Sequence, residues 1–198
     1  MTSVHARALL FDLDGTLTDP SEGITRCIAH ALECLGAPVP TAAALREWVG
    51  PPLREMFAAY LASEEGGEQA LARYRERFGR VGLYENELYA GVPALLAALR
   101  AQGTRLFLAT GKPQPYARRI LEHFGLLDFF ALVGGATFDG TISSKAAVIG
   151  TLLPHLSAAE RASCVMIGDR EHDVAGARAH GLPCIAVGYG FGSAAELR

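Results

Sequence analysis

Five short runs along the chain are dense in apolar residues and read as strands: Ala8–Phe11, Arg105–Ala109, Ala131–Val133, Cys164–Ile167 and Cys184–Val187. Several place apolar residues at consecutive positions, the pattern of strands covered on both faces. Gly, Asp, Thr or Pro bounds each run. Between them the spacing turns helical over Val92–Ala101, Tyr116–Phe124, Lys145–Leu153 and Glu171–His180. Gly103, Gly125 and Gly181 stand where helices commonly end. Strands and helices alternating through short links predict an α/β fold with a parallel sheet.

One segment breaks this rhythm. Between the first and second strand runs lie roughly 70 residues, positions 18–89, with no convincing strand, whereas a crossover needs far fewer. Ser21–Leu35, Thr41–Val49, Pro52–Leu61 and Gln69–Phe78 read as helices. They are separated by Gly36-Ala37-Pro38, Gly50-Pro51-Pro52 and Glu64-Glu65-Gly66-Gly67. The expected organisation is an α/β core from residues 1–17 and 90–198, with a helical insertion over 18–89.

Composition narrows the classes. A chain of 198 residues, 50% of them apolar, can bury a sizeable core and is not a disordered one. A net charge of −3 argues against a nucleic-acid footprint. No apolar run, Ala94–Leu99 included, approaches the ~20 residues of a membrane helix. After Val4-His5-Ala6-Arg7 the apolar stretch meets Asp12 almost at once, so no signal peptide is expected. Cys27, Cys34, Cys164 and Cys184 show no C-x-x-C spacing; two lie in a helical pattern and two in strand runs, as buried free thiols would. The expectation is a soluble, cytoplasmic protein.

The charged residues are unevenly chosen. All the basic residues are Arg except Lys112 and Lys145, and five of the seven Asp fall in two clusters: Asp12, Asp14 and Asp19, then Asp169 and Asp173. In open parallel sheets the ligand crevice lies beyond the carboxyl ends of the strands. There the sequence places Asp12-Leu13-Asp14-Gly15-Thr16, Thr110-Gly111-Lys112 and Gly168-Asp169-Arg170-Glu171-His172-Asp173. Each alone has a plainer reading, since Asp-x-Asp-Gly makes turns and Asp169 could cap the next helix. Together they crowd carboxylates at one end of a sheet, which calls for a cation. Few oxygen ligands with positions left for water and phosphate describe magnesium. Lys145 opens a helix behind the N-cap Ser144, against the helix dipole, and there makes a good anion site. Lys112, just before Pro113, reads as a solvated lysine at a loop–helix junction.

In this order and spacing the motifs resemble the haloacid dehalogenase superfamily of phosphohydrolases, within it the phosphoglycolate phosphatase-like group with a helical cap. Val49-Gly50-Pro51-Pro52-Leu53 and Tyr189-Gly190-Phe191-Gly192-Ser193 are similar to that group as well. The resemblance covers nearly the whole chain and implies a Rossmann-like, doubly wound core with the cap inserted after the first strand. It implies a phosphatase acting on a small phosphorylated metabolite. Asp12 would be the nucleophile that becomes an aspartyl phosphate, and Asp14 the acid and base. Thr110 and neighbouring backbone amides, Gly111 and Lys112 among their residues, would hold the phosphoryl group, with Lys145 offsetting its charge. Mg2+ would bind Asp12, the Asp14 carbonyl and Asp169, with Asp173 acting through water. Members of the group continue past Gly190-Phe191-Gly192 with a further strand and helix, so the last edge strand of the sheet is left open at Arg198.

Substrate choice would fall to the insertion. Arg26 and Arg54 are candidates for reading a small carboxylate such as that of phosphoglycolate, because a guanidinium pairs with both oxygens. A 5′-nucleotidase is the alternative, with Trp48, Phe57 or Tyr60 as stacking partners, although their helical spacing also suits a core. Arg73, Arg77 and Arg80 share a helix face and read as solvated. A receiver-type signalling module, phosphorylated on Asp without turnover, is the rival of a different class; the insertion and Asp14 speak against it. Gly190-Phe191-Gly192-Ser193-Ala194-Ala195 fits G-x-G-x-x-A, but no βαβ unit follows it.

Overall fold

The structure, a computed structural model, describes residues 6–197; Val4 and His5 of the N-terminal stretch lie outside them. In chain order the elements are β1 (Ala8–Phe11), β2 (Thr18–Asp19), α1 (Ser21–Cys34), α2 (Ala42–Arg46), α3 (Leu53–Leu61), α4 (Glu64–Arg77), β3 (Glu87–Leu88) and α5 (Val92–Ala101). They continue with β4 (Arg105–Pro113), α6 (Gln114–His123), β5 (Phe130–Ala136), α7 (Lys145–Leu152), α8 (Ala158–Arg161), β6 (Cys164–Gly168), α9 (Glu171–Ala179) and β7 (Cys184–Ala186). The chain divides into two compact units, Met1–Asp19 with Leu88–Arg198, and Pro20–Glu87.

The first unit is built on a parallel sheet of order β5-β4-β1-β6-β7, flanked by helices. All four residues of β1 are buried, as the unbroken apolar run requires. Ala8 and Leu10 pack with Phe107, Met166, Val148 and Ile149 in the cluster under α7 and α9. On the alternate side Phe11 meets Phe130 edge to face, ring centroids 6.5 Å apart. β1 pairs with β4 on one side and β6 on the other, so the strand order reverses at its carboxyl end. That switch point is where a crevice opens in such sheets.

Two expectations need correcting here. β4 does not end at Ala109 but runs on through Thr110-Gly111-Lys112 to Pro113, paired with β5 and with a register shift between Thr110 and Pro113. The partner strand is longer than its apolar residues announce, because Gly134, Gly135 and Ala136 keep the ladder going. The insertion is also not free of strands, since β2 and β3 pair in a two-stranded ribbon at its ends.

The second unit is helical. Its centre is aromatic: Trp48 lies edge to face with Phe57 and Tyr60, and Tyr74 stacks on Phe78 at 5.2 Å. Glu64-Glu65-Gly66-Gly67, expected as a linker, is instead the first turn of α4. Ser63 caps it by accepting a hydrogen bond from Gly66 N at 3.0 Å, and Glu64 and Glu65 complement the positive helix end. α4 then passes into a π-helical turn, Phe78–Gly82. Among the described residues no helix is long and apolar enough to cross a membrane.

Candidate active site

Asp12 follows β1 directly, and its N–H continues the ladder by donating to Ile167 O at 2.9 Å. Asp169 follows β6, Thr110 and Lys112 sit on the extension of β4, Lys145 opens α7, and Asp173 lies in the first turn of α9. The fold therefore gathers residues from positions 12 to 173 at one end of the sheet. All of these side chains are buried, Asp169 completely.

An oxygen from each of Asp12, Asp169 and Asp173 lies within 4.8 Å of the other two. Lys145 meets part of this negative charge. Its Nζ stands 2.8 Å from Asp12 Oδ1 and 2.7 Å from Asp173 Oδ1, and donates to Ala109 O at 2.8 Å. Burial alone would lower the pKa of Lys145, yet Asp12 and Asp173 outweigh it and hold the value above the ordinary one. One ammonium does not neutralise three carboxylates. Burial, then the neighbouring Asp12 and Asp173 charges, push Asp169 up to about 6; burial and Asp12 likewise raise Asp173.

A site that binds protons this readily also suits a hard cation. Its surroundings fit that use. An added Cβ would come within 2.1 Å of Asp169 Oδ2 at Gly15 and within 2.4 Å of it at Gly190, so bare backbone encloses the carboxylate. Asp12, Asp169 and Asp173 supply the all-oxygen donor set that Mg2+ takes.

Asp169 does not cap α9. Its Oδ2 accepts from Phe191 N at 2.7 Å and its Oδ1 from the Thr16 hydroxyl at 3.3 Å. Asp173 takes the helix end instead, its Oδ2 accepting from Asp169 N at 3.1 Å and Arg170 N at 3.0 Å. The stretch that mimicked a dinucleotide fingerprint thus wraps Asp169. Tyr189 OH donates to Thr16 O at 2.9 Å, and Glu196 accepts from Arg170 Nε at 2.6 Å. Sequence reasoning missed Thr16, Tyr189 and Phe191 as supports. Gly190 and Gly192 were the available signal, since backbone that must approach a side chain closely needs glycine.

Lys112 is not solvated. It is 9% exposed, and its Nζ stands 2.8 Å from Asp14 Oδ2, while its N–H donates to Thr110 Oγ1 at 3.2 Å. Extension of β4 through Pro113 leaves it buried on a strand rather than at a loop–helix junction. Burial raises the pKa of Asp14, with Lys112 pulling the other way. Gly111 lies between Thr110 and Lys112 on the same strand.

Arg54 belongs to the helical unit, where it pairs with Glu68; Arg26 pairs with Glu22 and, at 3.0 Å, with Glu85. Both candidate carboxylate readers thus already hold carboxylates of their own chain. Trp48 and Phe57 are buried in the aromatic cluster, and Tyr60 OH donates to Pro38 O at 3.1 Å. Arg77 is not solvated either, because it grips Glu85 with two hydrogen bonds of 2.6 and 2.9 Å. The four cysteines are free, but only Cys27 and Cys164 are buried; Cys184 is half-buried, and Cys34 is exposed beside His30 Nε2 at 3.6 Å.

A family model described as haloacid dehalogenase-like hydrolase matches residues 9–187. The chain is 48% identical to a 5′-nucleotidase of Pseudomonas aeruginosa, over 96% of this chain and 86% of that protein. It is 44% identical to the tyrosine-protein kinase PtkA of Mycobacterium tuberculosis over 94% of this chain, which spans 63% of that protein's length. A phosphoglycolate phosphatase of Yersinia pseudotuberculosis is 33% identical, over 93% of this chain and 82% of its own. Among solved structures, a predicted phosphatase from Clostridium acetobutylicum superposes with a TM-score of 0.86 at 41% identity, covering 96% of this chain and 88% of that one.

Proposed function

Because the chain belongs to the haloacid dehalogenase-like hydrolase family, we propose that it is a magnesium-dependent phosphomonoesterase that works through an aspartyl phosphate on Asp12. The observation that carries this reading is the Asp12 carboxylate, buried at a strand end, paired with Lys145 at 2.8 Å and clustered with Asp169 and Asp173.

Each residue then has a task. Asp12 Oδ attacks phosphorus, forming the acyl phosphate as the bond from phosphorus to the ester oxygen breaks. Asp14 gives its proton to the departing oxygen, and takes one from the water that later attacks the acyl phosphate and releases inorganic phosphate. The Thr110 hydroxyl and the amides around Gly111 grip phosphoryl oxygens, and Lys145 screens the approach of two anions. Magnesium, when bound by Asp12, the Asp14 carbonyl and Asp169, with Asp173 through water, supplies further charge neutralisation.

The substrate proposed first is a small phosphomonoester of the phosphoglycolate kind. A second reading, a nucleoside 5′-monophosphate, is favoured by the 48% identical 5′-nucleotidase and by the Arg54–Glu68 pair, which leaves Arg54 engaged within its own unit. The test is phosphate release from phosphoglycolate and from nucleoside 5′-monophosphates, before and after Arg54→Ala. A preference for phosphoglycolate that Arg54→Ala erases supports the first reading. A preference for nucleotides that Arg54→Ala leaves alone supports the second. A stable phospho-protein with no turnover of any ester would make the chain a receiver module.

A further inference from the structure

The chain has two lysines, and each reaches one carboxylate of Asp12-Leu13-Asp14: Lys145 pairs with Asp12 and Lys112 with Asp14. We propose that Lys112 is a positioning residue for the acid–base step. Its ammonium clamps Asp14 Oδ2, so that Oδ1 alone is turned to the oxygen of the leaving group. The proposal rests on the phosphatase reading above and adds to it the device that orients the acid.

The geometry is specific. A carboxylate turns freely about its last bond, and its two oxygens are chemically equal. Here they are not equivalent. Oδ2 stands 2.8 Å from Lys112 Nζ, whereas Oδ1 is buried without a hydrogen-bond partner among the described residues. A buried oxygen left unpaired is costly unless a ligand or water uses it. A clamp on one oxygen that leaves the other open to a ligand is what a group that hands over a proton requires. Lys112 is itself fixed, because its N–H donates to the hydroxyl of Thr110 on the same extension of β4. Gripping the phosphoryl group and aiming the acid are thus tasks of one short strand segment.

The choice of lysine follows from the same chemistry. Apart from Lys145, every other Lys or Arg position of the chain holds arginine. A guanidinium offers a planar fork that engages both oxygens of a carboxylate. At position 112 it would occupy Oδ1 as well. An ammonium is a compact charge and leaves that oxygen open.

The experiment compares an alkyl phosphate with an aryl phosphate, whose good leaving group needs little protonation, in single-turnover phosphorylation of the magnesium-loaded protein. Lys112→Met is expected to slow the alkyl ester by about 100-fold, the low end of what a positioned acid contributes, and the aryl ester by less than about fivefold. Lys112→Arg keeps the charge and is expected to show the same selective loss. Asp14→Asn added to Lys112→Met should lose no more on the alkyl ester than Asp14→Asn alone, because the two act as a unit. Equal losses on both esters, or full activity in Lys112→Arg, would overturn the proposal and leave Lys112 as a phosphate-binding or structural charge. If Lys112→Met fails to fold, Lys112→Arg decides alone. A parent protein that turns over neither ester defeats the phosphatase reading instead, so the two failures are distinct.

Discussion

Lys145 and Asp12 meet at 2.8 Å although they belong to different elements, the start of α7 and the end of β1. Ammonium in the first turn of a helix opposes the helix dipole by about 0.3–1 kcal/mol. It is kept there by the carboxylates it faces, and Asp173 at 2.7 Å adds to Asp12. Asp12 is therefore tied through Lys145 to α7 and to Asp173 at the foot of α9.

Asp12→Asn keeps the shape of the side chain and removes its charge. Turnover is expected to fall by at least three powers of ten, about 4 kcal/mol of transition-state stabilisation. The far-UV circular dichroism should stay that of the parent. Steady-state phosphate release checks this, and activity within tenfold of the parent would remove Asp12 from the covalent role.

Metal removal and pH act on the same carboxylates. EDTA should abolish activity, magnesium restore it, and calcium, larger and taking more oxygen ligands, inhibit. The linkage has a definite sign. Asp169 is raised in the fold from 3.8 to about 6, so the metal-free fold binds that proton more tightly than the unfolded chain. Its contribution to stability is full below about 3.8 and is lost as pH rises through about 6. Melting in EDTA should therefore show a gain from pH 7 to pH 5 that Asp169→Asn reduces. Magnesium should raise Tm more at pH 7 than at pH 5, since protons compete for the site. Equal magnesium shifts at both pH values would contradict this linkage.

The helical unit carries the opposite sign. Hydrogen bonds from Arg77 hold the Glu85 carboxyl below its ordinary 4.5, against the effect of its burial. That stabilisation is present above pH 4.5 and is lost as pH falls through the lower folded value. Glu85→Gln should lower Tm at pH 7 and flatten the acid side of the stability curve. Thermal melts from pH 7 down to pH 3 provide the measurement. An unchanged acid side would mean that the pair makes no net contribution.

Gly190→Ala should cost both stability and metal. The added Cβ would stand 2.4 Å from Asp169 Cβ and Oδ2, and 2.4 Å from Gly15 O, so the strap must lift away. Magnesium affinity, followed by calorimetry without substrate, is expected to weaken at least tenfold, about 1.4 kcal/mol. Gly188→Ala, with open space around the Cβ, is the control and should bind magnesium as the parent does.

Much of this was legible before any coordinates. Consecutive apolar residues marked β1 and β6 because strands buried on both faces need no polar alternation, and the acids behind them could sit only at strand ends. Lys112 was misread because a lysine next to proline carries no local sign of burial; the partner β5 and the carboxylate of Asp14 came from elsewhere in the chain. Arg77 was misread for the same reason, its partner Glu85 lying beyond a π-helical turn that no periodicity announces. Glu64–Gly67 looked like a linker by its glycines, yet one serine cap and two acids were enough to start a helix there. Local chemistry was readable, and pairings across distant segments were not.

The strap on Asp169 also has a consequence for how the chain is made. Phe191, whose amide holds Asp169, is made about 180 residues after Asp12, roughly 10–35 s later at the usual pace of synthesis. Through that interval the nascent chain carries Asp12 without the finished enclosure of Asp169. A chain released before Phe191 would lack that grip on Asp169, however much of the sheet had already formed.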